Sequence, residues 1–367
     1  MKSEGFALYR LPHADHYVEI RQEGELLQLG SYAELGSITD GFVFAPFSVS
    51  RECPIVVIQG EESYNPPPTP PQERGRRTPP NLPQGEETQL HVSPSPQGRG
   101  WVGEAVAGAY AIDFANFHSR LMAGEFTKIV LARSEEVTYP FPLEEIGGRH
   151  LFLSACERYP RMFIALVSTP VTGTWLMATP EPLLEKTAEG YHTVALAGTQ
   201  HIGMGDWDER GVAWNDKNIM EQRLVATYIT ERLEHFADHI DIDGPHTVRA
   251  GELAHLRTDY RFTLSDDGRM GELIAALHPT PAVCGLPKDD TQRFILQNES
   301  APRRYYSGFT GPLGIGGESH LYVTLRCMEL HDDTCTLYAG GGLLPDSQLR
   351  QEWDETVAKM ETMKVLL

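Results

Sequence analysis

FIALVSTPVTGTWLMAT, residues 163–179, consists of two apolar segments on either side of a short turn. The segments 163–169 and 174–179 are rich in the aliphatic and aromatic residues that are typical of strands. The turn at Val171-Thr-Gly173 is short enough to join two neighbouring antiparallel strands. This stretch therefore predicts a β-hairpin and makes antiparallel sheet the starting hypothesis for the fold.

Helical and strand patterns alternate on both sides of this hairpin. Helices are predicted at 104–123, 144–158, 215–236, 270–277, 288–298 and 346–366. Further strands are predicted at 127–133, 191–197, 305–313, 319–330 and 333–339, and residues 247–264 are predicted to be rich in strand. Runs of paired strands between helices favour an α+β fold with mostly antiparallel sheets.

Composition divides the 367 residues into three regions of what we expect to be one domain. Residues 1–60 contain short apolar runs that predict strands, at 41–47 and 54–58. Residues 61–100 are rich in proline and almost without apolar side chains, which predicts a mobile surface loop, with a proline-rich docking motif as the alternative. Residues 101–367 are dense and periodic, as expected of the functional core.

The formal net charge of −20 argues against nucleic acid and anionic membrane surfaces as partners. Five cysteines without a CxxC spacing indicate reduced thiols and no zinc site. The first sixteen residues lack the apolar segment of a signal peptide, and no run of about 18 apolar residues occurs. These features predict a cytoplasmic protein whose anionic ligands would need a local cluster of positive charge.

Two titratable residues are candidates for acid–base chemistry. Lys128 lies near the start of the apolar strand Thr127-Lys-Ile-Val-Leu-Ala-Arg133, where burial would favour the neutral amine and a general base. Glu181 lies in the turn Ala178-Thr-Pro-Glu-Pro182, where burial would raise its pKa and make it a general acid. The structural alternatives are a lysine and a glutamate whose charged groups lie in solvent.

Three glutamates on helices are candidates for a metal site. Glu352 and Glu355 are spaced i, i+3 and therefore share one face of the last helix, while Glu221 lies one turn after Lys217 in the long central helix. Carboxylates that converge without histidine or cysteine suit Mg²⁺ better than zinc. Solvated acidic helix faces are the alternative in so acidic a protein.

Small residues and one arginine predict an anion site. Gly198 and Thr199 follow an apolar strand, where a ligand could approach the backbone. Arg326 lies in a predicted strand of apolar and small residues, and a buried arginine needs an anion. Gly341 and Gly342 follow a strand before the acidic helix, where backbone N–H groups could face a carboxylate, with a β-bulge as the alternative.

The order of these motifs resembles that of the chorismate-utilising enzymes, and most closely the isochorismate synthases of menaquinone and siderophore biosynthesis. The resemblance covers about 260 residues, from about residue 105 to the C-terminus. The segments that carry it are Lys128-Ile-Val-Leu-Ala-Arg133, Ala178-Thr-Pro-Glu181, Leu196-Ala-Gly-Thr199, Lys217-Asn-Ile-Met-Glu221, His278-Pro-Thr-Pro-Ala-Val-Cys-Gly285, Thr324-Leu-Arg326, Leu337-Tyr-Ala-Gly-Gly-Gly342 and Glu352-Trp-Asp-Glu-Thr-Val-Ala-Lys359.

This resemblance implies a sandwich of two sheets with the active site in a cleft between halves. It implies that Lys128 activates water for attack at C2 of chorismate and that Glu181 protonates the departing C4 hydroxyl. It implies Mg²⁺ on Glu221, Glu355 and Glu352, where the metal holds the ring carboxylate. The remaining substrate-binding residues that it implies are Gly198, Thr199, His278, Ala282, Tyr306, Arg326, Gly341, Gly342 and Lys359.

Three positions favour water over ammonia as the nucleophile and isochorismate as the product. The aminating relatives, which take ammonia from a glutaminase, lack a lysine at the position of Lys128, and some of them have lysine in place of Ala197. Salicylate synthases tend to have threonine in place of Ala282. The resemblance therefore implies a monomeric isochorismate synthase without a glutaminase subunit, with menaquinone synthesis as the default pathway and siderophore synthesis as the alternative.

Some features depart from the family pattern. Gln222 replaces a common histidine, Gly340-Gly-Gly342 replaces Gly-Ala-Gly, and the N-terminal region is short and carries the proline-rich segment. Salicylate synthase, an aminating enzyme and a catalytically inactive chorismate-binding homologue stay open as alternatives. The presence of Lys128, Glu181 and all three candidate metal-binding glutamates argues against the inactive homologue.

Overall fold

A computed structural model describes residues 4–66, 100–139, 147–202, 211–250 and 253–367. Its strands in chain order are β1 (Glu4–Arg10), β2 (Tyr17–Glu23), β3 (Leu27–Leu29), β4 (Gly41–Ala45), β5 (Ile55–Ile58), β6 (Glu61–Asn65), β7 (Lys128–Thr138), β8 (Phe163–Thr169), β9 (Gly173–Thr179), β10 (Pro182–Thr187), β11 (Gly190–His201), β12 (Ala237–Ala250), β13 (Leu253–Leu264), β14 (Gly285–Leu286), β15 (Phe309–Leu313), β16 (Ser319–Val323), β17 (Cys327–Leu330) and β18 (Thr334–Leu343). The α-helices are α1 (Gly100–Met122), α2 (Gly148–Arg158), α3 (Asp216–Leu233), α4 (Met270–Leu277), α5 (Lys288–Asn298) and α6 (Leu349–Lys364). None of these described helices is both long enough and apolar enough to cross a membrane.

The strands form two nine-stranded sheets. Sheet A has the order β14-β7-β18-β17-β9-β8-β1-β2-β6, and sheet B has the order β12-β13-β11-β10-β16-β15-β4-β5-β3. Neighbouring strands in both sheets are antiparallel, including the β8–β9 hairpin of residues 163–179. The predicted α+β class with mostly antiparallel sheets is therefore confirmed.

The alternation of side chains along the strands builds a four-layer sandwich. In β4, Phe42 and Phe44 pack between the sheets, whereas Val43 and Ala45 pack on the opposite face, with α3 and α4. In β8, the odd-numbered residues of 163–167 pack between the sheets and the even-numbered ones pack towards α2 and α6. Both faces of each sheet are apolar at its centre, so each sheet is covered by helices on one side and by the other sheet on the other.

Several predicted boundaries were wrong. Residues 237–246 were assigned to neither a helix nor a strand, but they belong to β12, an edge strand whose Ile242 is exposed. Edge strands need few apolar residues, so the pattern that marks buried strands was weak here. Strands β1, β2 and β10 were not predicted.

The N-terminal region contributes to both sheets rather than standing apart. Strands β1, β2 and β6 extend sheet A, and β3, β4 and β5 extend sheet B. Residues 61–65, predicted as the start of the mobile loop, instead form β6, which pairs with β2. The rest of the predicted proline-rich loop, residues 67–99, lies outside the described residues.

Candidate active site

A cleft that is partly open to solvent lies between β7 and β18 of sheet A and β11 and β13 of sheet B. Residues that line it come from both sheets, from α3 and α6 and from the loops after β9, α4, α5 and β16. The lining residues are Val130, Pro180, Glu181, Leu196, Ala197, Gly198, Thr199, Glu221, His255, Ala282, Val283, Tyr306, Leu325, Arg326, Tyr338, Ala339, Gly340, Gly342 and Lys359.

Lys128 is fully buried at the start of β7, just behind the lining of this cleft. Its Nζ atom lies 3.0 Å from Oε1 of Glu221 on α3. A buried lysine amine needs a polar or charged partner, and Glu221 supplies one. The alternative that Lys128 extends its amine into solvent is therefore excluded.

Glu181 lies in the connection between β9 and β10 and is also buried. Burial raises the pKa of this carboxyl to about 7, against the opposing pull of Lys128, Lys359 and Arg326. A carboxyl group with a pKa near neutrality can hold and release a proton under physiological conditions. The chemistry predicted for Glu181 therefore agrees with its environment.

Arg326 does not lie within a continuous strand, as the sequence predicted, but in a break between β16 and β17. Its backbone has a φ of +46°, in the left-handed region, which interrupts the strand and turns the side chain into the cleft. Burial lowers the pKa of Arg326 to about 10. A buried guanidinium without a paired carboxylate is suited to an anionic ligand.

His255 on β13 lines the cleft and was missed by the sequence prediction. Arg326 Nη2 lies 2.9 Å from His255 Nε2, and His255 Nδ1 lies 3.1 Å from the carbonyl oxygen of Gly198. The guanidinium donates to Nε2, so Nδ1 carries the proton and donates to Gly198. Burial and, to a smaller extent, the charge of Arg326 hold the pKa of His255 well below its usual value, so the imidazole stays neutral. In the sequence, a single histidine in Leu253-Ala-His-Leu256 gave no indication that it would line a cleft.

Gly198 lies inside β11 at a bulge, not in a turn after it as predicted. Its φ is +73°, and a Cβ atom there would lie 3.1 Å from the Asn218 carbonyl oxygen. Glycine at this position therefore lets β11 and α3 approach closely beside the cleft.

Gly341 and Gly342 of β18 make room for the carboxylates. A Cβ atom on Gly342 would lie 2.1 Å from Glu221 Oε1, and one on Gly341 would lie 3.0 Å from Glu352 Oε2. Any larger residue at Gly342 would displace Glu221 or Lys128. The glycines thus bring the acidic groups of two helices against a strand.

Each of the three predicted metal-binding glutamates is paired with a lysine. Besides the pair formed by Glu221, Lys217 Nζ lies 2.6 Å from Glu352 Oε1, and Lys359 Nζ lies 2.7 Å from Glu355 Oε1. Within the described ranges, no group of three or more acidic, histidine or cysteine side chains converges closely enough to hold a metal ion as the side chains stand.

The donor set nevertheless fits a hard cation. Glu352 Oε2 is buried and has no hydrogen-bond partner among the described residues, and burial raises the pKa of this carboxyl. An unpartnered buried carboxylate oxygen costs free energy that a bound cation would offset. The ligand types are oxygen only, as Mg²⁺ prefers.

The structure brings most of the other predicted residues to the same cleft, but not His278. Thr199, Ala282, Tyr306 and Lys359 line the cleft, and Lys359 also donates to the Gly340 carbonyl oxygen at 2.8 Å. His278 is instead buried outside the lining, between the rings of Tyr32 and Phe309. Burial lowers the pKa of His278 to about 3, as expected of a neutral core histidine. Its prediction as a substrate-binding residue is not supported by this position.

Several known proteins are similar to this chain. It is 33% identical to isochorismate synthase DhbC of Bacillus subtilis over 256 residues, which are 67% of this chain and 64% of that protein. It is 35% identical to the salicylate biosynthesis isochorismate synthase of Pseudomonas aeruginosa over 266 residues, which are 68% of this chain and 52% of that protein. The chain thus matches between about half and two thirds of the length of these relatives.

Two crystal structures share the fold. A putative 2,3-dihydroxybenzoate-specific isochorismate synthase, DhbC from Bacillus anthracis, superposes with a TM-score of 0.76 at 20% identity, covering 98% of this chain and 95% of that chain. MenF, the menaquinone-specific isochorismate synthase from Escherichia coli, superposes with a TM-score of 0.75 at 19% identity, covering 100% and 89% of the two chains.

The family model described as chorismate binding enzyme matches residues 102–367. This range contains all the elements that form the cleft. The match covers well over half of the chain, and the protein therefore belongs to the family of chorismate binding enzymes.

Proposed function

We propose that this protein is an isochorismate synthase, an isomerase that converts chorismate to isochorismate with water as the nucleophile. The observation that carries the proposal is that two buried groups lie at one cleft, the amine of Lys128 and the carboxyl of Glu181, whose pKa is about 7. Lys128 and Glu181 supply the base and the acid that exchange of a hydroxyl group requires.

In this mechanism the neutral amine of Lys128 takes a proton from water as the water oxygen bonds to C2. The ring double bonds shift and the C4–oxygen bond breaks. Glu181 protonates the departing hydroxyl, which leaves as water. One proton has then moved to Lys128 and one has left Glu181, so proton return through solvent restores both groups and the reaction is balanced.

The rest of the cleft suits a dianionic substrate. Arg326, fixed by its contact with neutral His255, would bind the enolpyruvyl carboxylate together with the backbone of Gly341 and Gly342. Ala197 and Ala282 line the cleft as small apolar residues, which supports water attack and release of isochorismate. Tyr306 and Thr199 complete the walls.

We also propose that Mg²⁺ is the cofactor, held by Glu221, Glu352 and Glu355. When bound, the ion supplies positive charge for the ring carboxylate. The unpartnered Glu352 Oε2 supports this assignment. The positive charge matters because the protein as a whole carries a formal charge of −20.

The test of the function is product analysis after incubation with chorismate and Mg²⁺ and, separately, with EDTA. We expect isochorismate in the first sample and none in the second. Lys128→Ala should abolish turnover while leaving chorismate affinity largely intact, and the partly exposed Lys186→Ala serves as the control. A Lys128→Ala enzyme with nearly normal turnover would place the base elsewhere.

Other products would identify the alternatives. Salicylate with pyruvate would indicate a salicylate synthase, and product that appears only with added ammonium salt would indicate an aminating enzyme. Chorismate binding without any product would indicate an inactive homologue. The proposal extends to the product and not to its pathway, because MenF is described as menaquinone-specific while the Pseudomonas aeruginosa relative is named for salicylate biosynthesis.

The metal assignment is tested by Glu355→Gln, which removes one of the three carboxylate charges. Mg²⁺ binding measured by calorimetry should weaken about tenfold or more, since ligand charge sets the affinity for a hard cation. Glu361→Gln, an exposed change on the same helix, is the matched control. Equal Mg²⁺ titrations for the Glu355→Gln variant and the parent would mean that the acidic cluster does not bind the metal.

A further inference from the structure

Strand β7, which carries Lys128, has only a short neighbour on its outer side. That neighbour is the two-residue strand β14, Gly285–Leu286. Thr127 N donates to the Leu286 carbonyl oxygen at 2.9 Å, and Val130 N donates to the Cys284 carbonyl oxygen at 2.7 Å. Beyond this point the backbone groups of β7 need other partners, because unpaired buried N–H and C=O groups are costly.

Two side chains provide those partners. Ala132 N donates to Glu299 Oε1 at 2.7 Å, and Arg303 Nη2 donates to the Val130 carbonyl oxygen at 2.9 Å. Arg303 Nη1 also donates to the Val283 carbonyl oxygen at 2.6 Å. Arg303 therefore connects β7 to the loop that precedes β14, where a continuous strand would otherwise be needed.

The Arg303–Glu299 pair is itself held rigidly. Arg303 Nε lies 2.6 Å from Glu299 Oε2, and Arg303 Nη2 lies 2.8 Å from Glu299 Oε1. The guanidinium lies over the ring of Phe47, 4.5 Å from its centroid. Both charged side chains are 3% exposed, so solvent does not compete for these bonds.

The pair connects three parts of the cleft lining. Val130 and Val283 accept hydrogen bonds from the Arg303 side chain, and Tyr306 N donates to the Arg303 carbonyl oxygen at 2.9 Å. All three of these residues line the cleft. A buried ion pair is rarely more stabilising than apolar residues of the same volume, so stability alone does not account for it.

We propose that Arg303, oriented by Glu299, is a positioning residue that sets the distance between the Lys128 strand and the Val283 and Tyr306 walls of the cleft. This inference rests on the proposed function, because it assigns Lys128 its position relative to the substrate ring. Misplacement of a reacting group by about 1 Å can cost about 100-fold in rate.

The test compares Arg303→Lys with Arg304→Lys. Arg304 is the matched control, because it pairs with a buried glutamate, Glu329, and donates to a carbonyl oxygen, that of Thr172, but these two partners do not line the cleft. Lysine keeps the charge in both variants but cannot reach two carbonyl oxygens and a carboxylate together. At a temperature where circular dichroism shows both variants folded, kcat of Arg303→Lys should fall about 10- to 100-fold while KM changes little.

Arg304→Lys should keep kcat within about twofold of the parent, as expected of a change that leaves the reacting groups in place. Equal losses in the two variants, or an Arg303→Lys variant that loses only thermal stability, would overturn the inference. If Arg303→Lys does not fold, Glu299→Gln decides, because its amide oxygen can still accept from Ala132 while the charge that orients Arg303 is gone. A folded Glu299→Gln variant with the parent kcat would also overturn the inference.

Amide hydrogen exchange separates this inference from the proposed function. Peptides that span residues 128–134 should exchange faster in Arg303→Lys than in the parent or in Arg304→Lys. If the parent makes no isochorismate, the proposed function fails, yet this measurement still decides whether Arg303 holds β7. Unchanged exchange in these peptides would show that it does not.

Discussion

At the scale of single residues, the cleft keeps Glu181 in an environment that opposes its ionisation. Burial raises the pKa of the Glu181 carboxyl to about 7. Lys128, Lys359 and Arg326 act in the opposite direction and keep this pKa from rising further. The acid form is present below pH 7 and is lost as the pH rises through 7. The raised pKa that serves function costs stability, because folding free energy is lost as the pH rises from about 4.5, the ordinary pKa, to about 7, and the loss is complete above pH 7.

We expect Glu181→Gln to lower kcat by about 10²- to 10⁴-fold, the usual contribution of a general acid. The parent kcat should decline above about pH 7 as Glu181 loses its proton, and this decline should be absent in the residual activity of the variant. Urea unfolding should show Glu181→Gln more stable than the parent by about 2–3 kcal/mol at pH 8 and equally stable at pH 4.

The control for this comparison is Glu189→Gln, an exposed change in the turn between β10 and β11. It should alter neither the pH profile nor the stability. A parent profile that stays flat through pH 7 to 9, with chemistry as the slow step, would contradict the assignment of Glu181 as the acid.

At the scale of secondary-structure elements, four adjacent strands of sheet B are joined by a charged network away from the cleft lining. His192 of β11 lies between two carboxylates, 2.9 Å from Glu185 Oε2 and 2.8 Å from Asp259 Oδ1. His320 of β16 likewise lies 3.0 Å from Glu185 and 3.2 Å from Glu318. The groups that also contact these carboxylates are Arg257, His246 and Tyr322.

This network should make stability depend on pH in both directions. Burial alone would lower the pKa of His192, but Asp259 and Glu185 raise it above its usual value. Its contribution is therefore complete below about pH 6.5 and is lost as the pH rises through the folded-state pKa. The pKa values of Glu185 and Asp259 are held low by these partners, so their contribution exists above about pH 4 and is lost on acidification.

We expect His192→Gln to lower the free energy of unfolding by about 1–3 kcal/mol at pH 6, because the amide is uncharged and has both its N–H donors on one nitrogen, whereas His192 uses two ring nitrogens for the two carboxylates. The loss should be smaller at pH 9, where the parent histidine is neutral. Urea unfolding at the two pH values measures this difference, with the exposed His239→Gln on β12 as control. Equal losses at pH 6 and pH 9 would mean that the imidazolium charge is not what stabilises the network.

At the scale of the whole molecule, a large negative net charge surrounds a cleft in which most charges are paired. The protein carries a formal charge of −20, whereas Lys128, Lys217 and Lys359 in and beside the cleft are each paired with a glutamate, which leaves Arg326 as the cation for an anionic substrate. The Debye length falls from about 30 Å at 0.01 M salt to about 8 Å at 0.15 M. Moderate salt should therefore screen the distant acidic residues before it screens contacts inside the cleft.

We expect kcat/KM for chorismate to rise as ionic strength increases from about 0.01 to 0.15 M and to fall again near 1 M. Initial rates measured at constant pH and constant Mg²⁺ concentration give this profile. Added sucrose, which is uncharged, is the control for viscosity. A steady fall from the lowest salt onward would show that the local cations control substrate approach at every ionic strength.

The sequence by itself determined the class of the fold and identified most of the residues proposed to carry the chemistry. The hairpin at 163–179 and the six helices follow from local periodicity and turn residues, which depend only on residues close together in the sequence. Lys128, Glu181, Glu221, Glu352 and Glu355 could be selected as candidates because their motifs follow one another in a recognisable order. The apolar strand around Lys128 left open whether its amine is buried or extends into solvent.

Only the tertiary structure decided how these groups are paired. The lysine partners of Glu221, Glu352 and Glu355, and the role of His255 between Arg326 and Gly198, depend on contacts between residues far apart in sequence. Sequence patterns could not show that His278 lies in the core and outside the cleft lining, and they gave little signal for edge strands such as β12. The physical reason is that burial, and with it the pKa of Glu181, is set by which strands lie side by side.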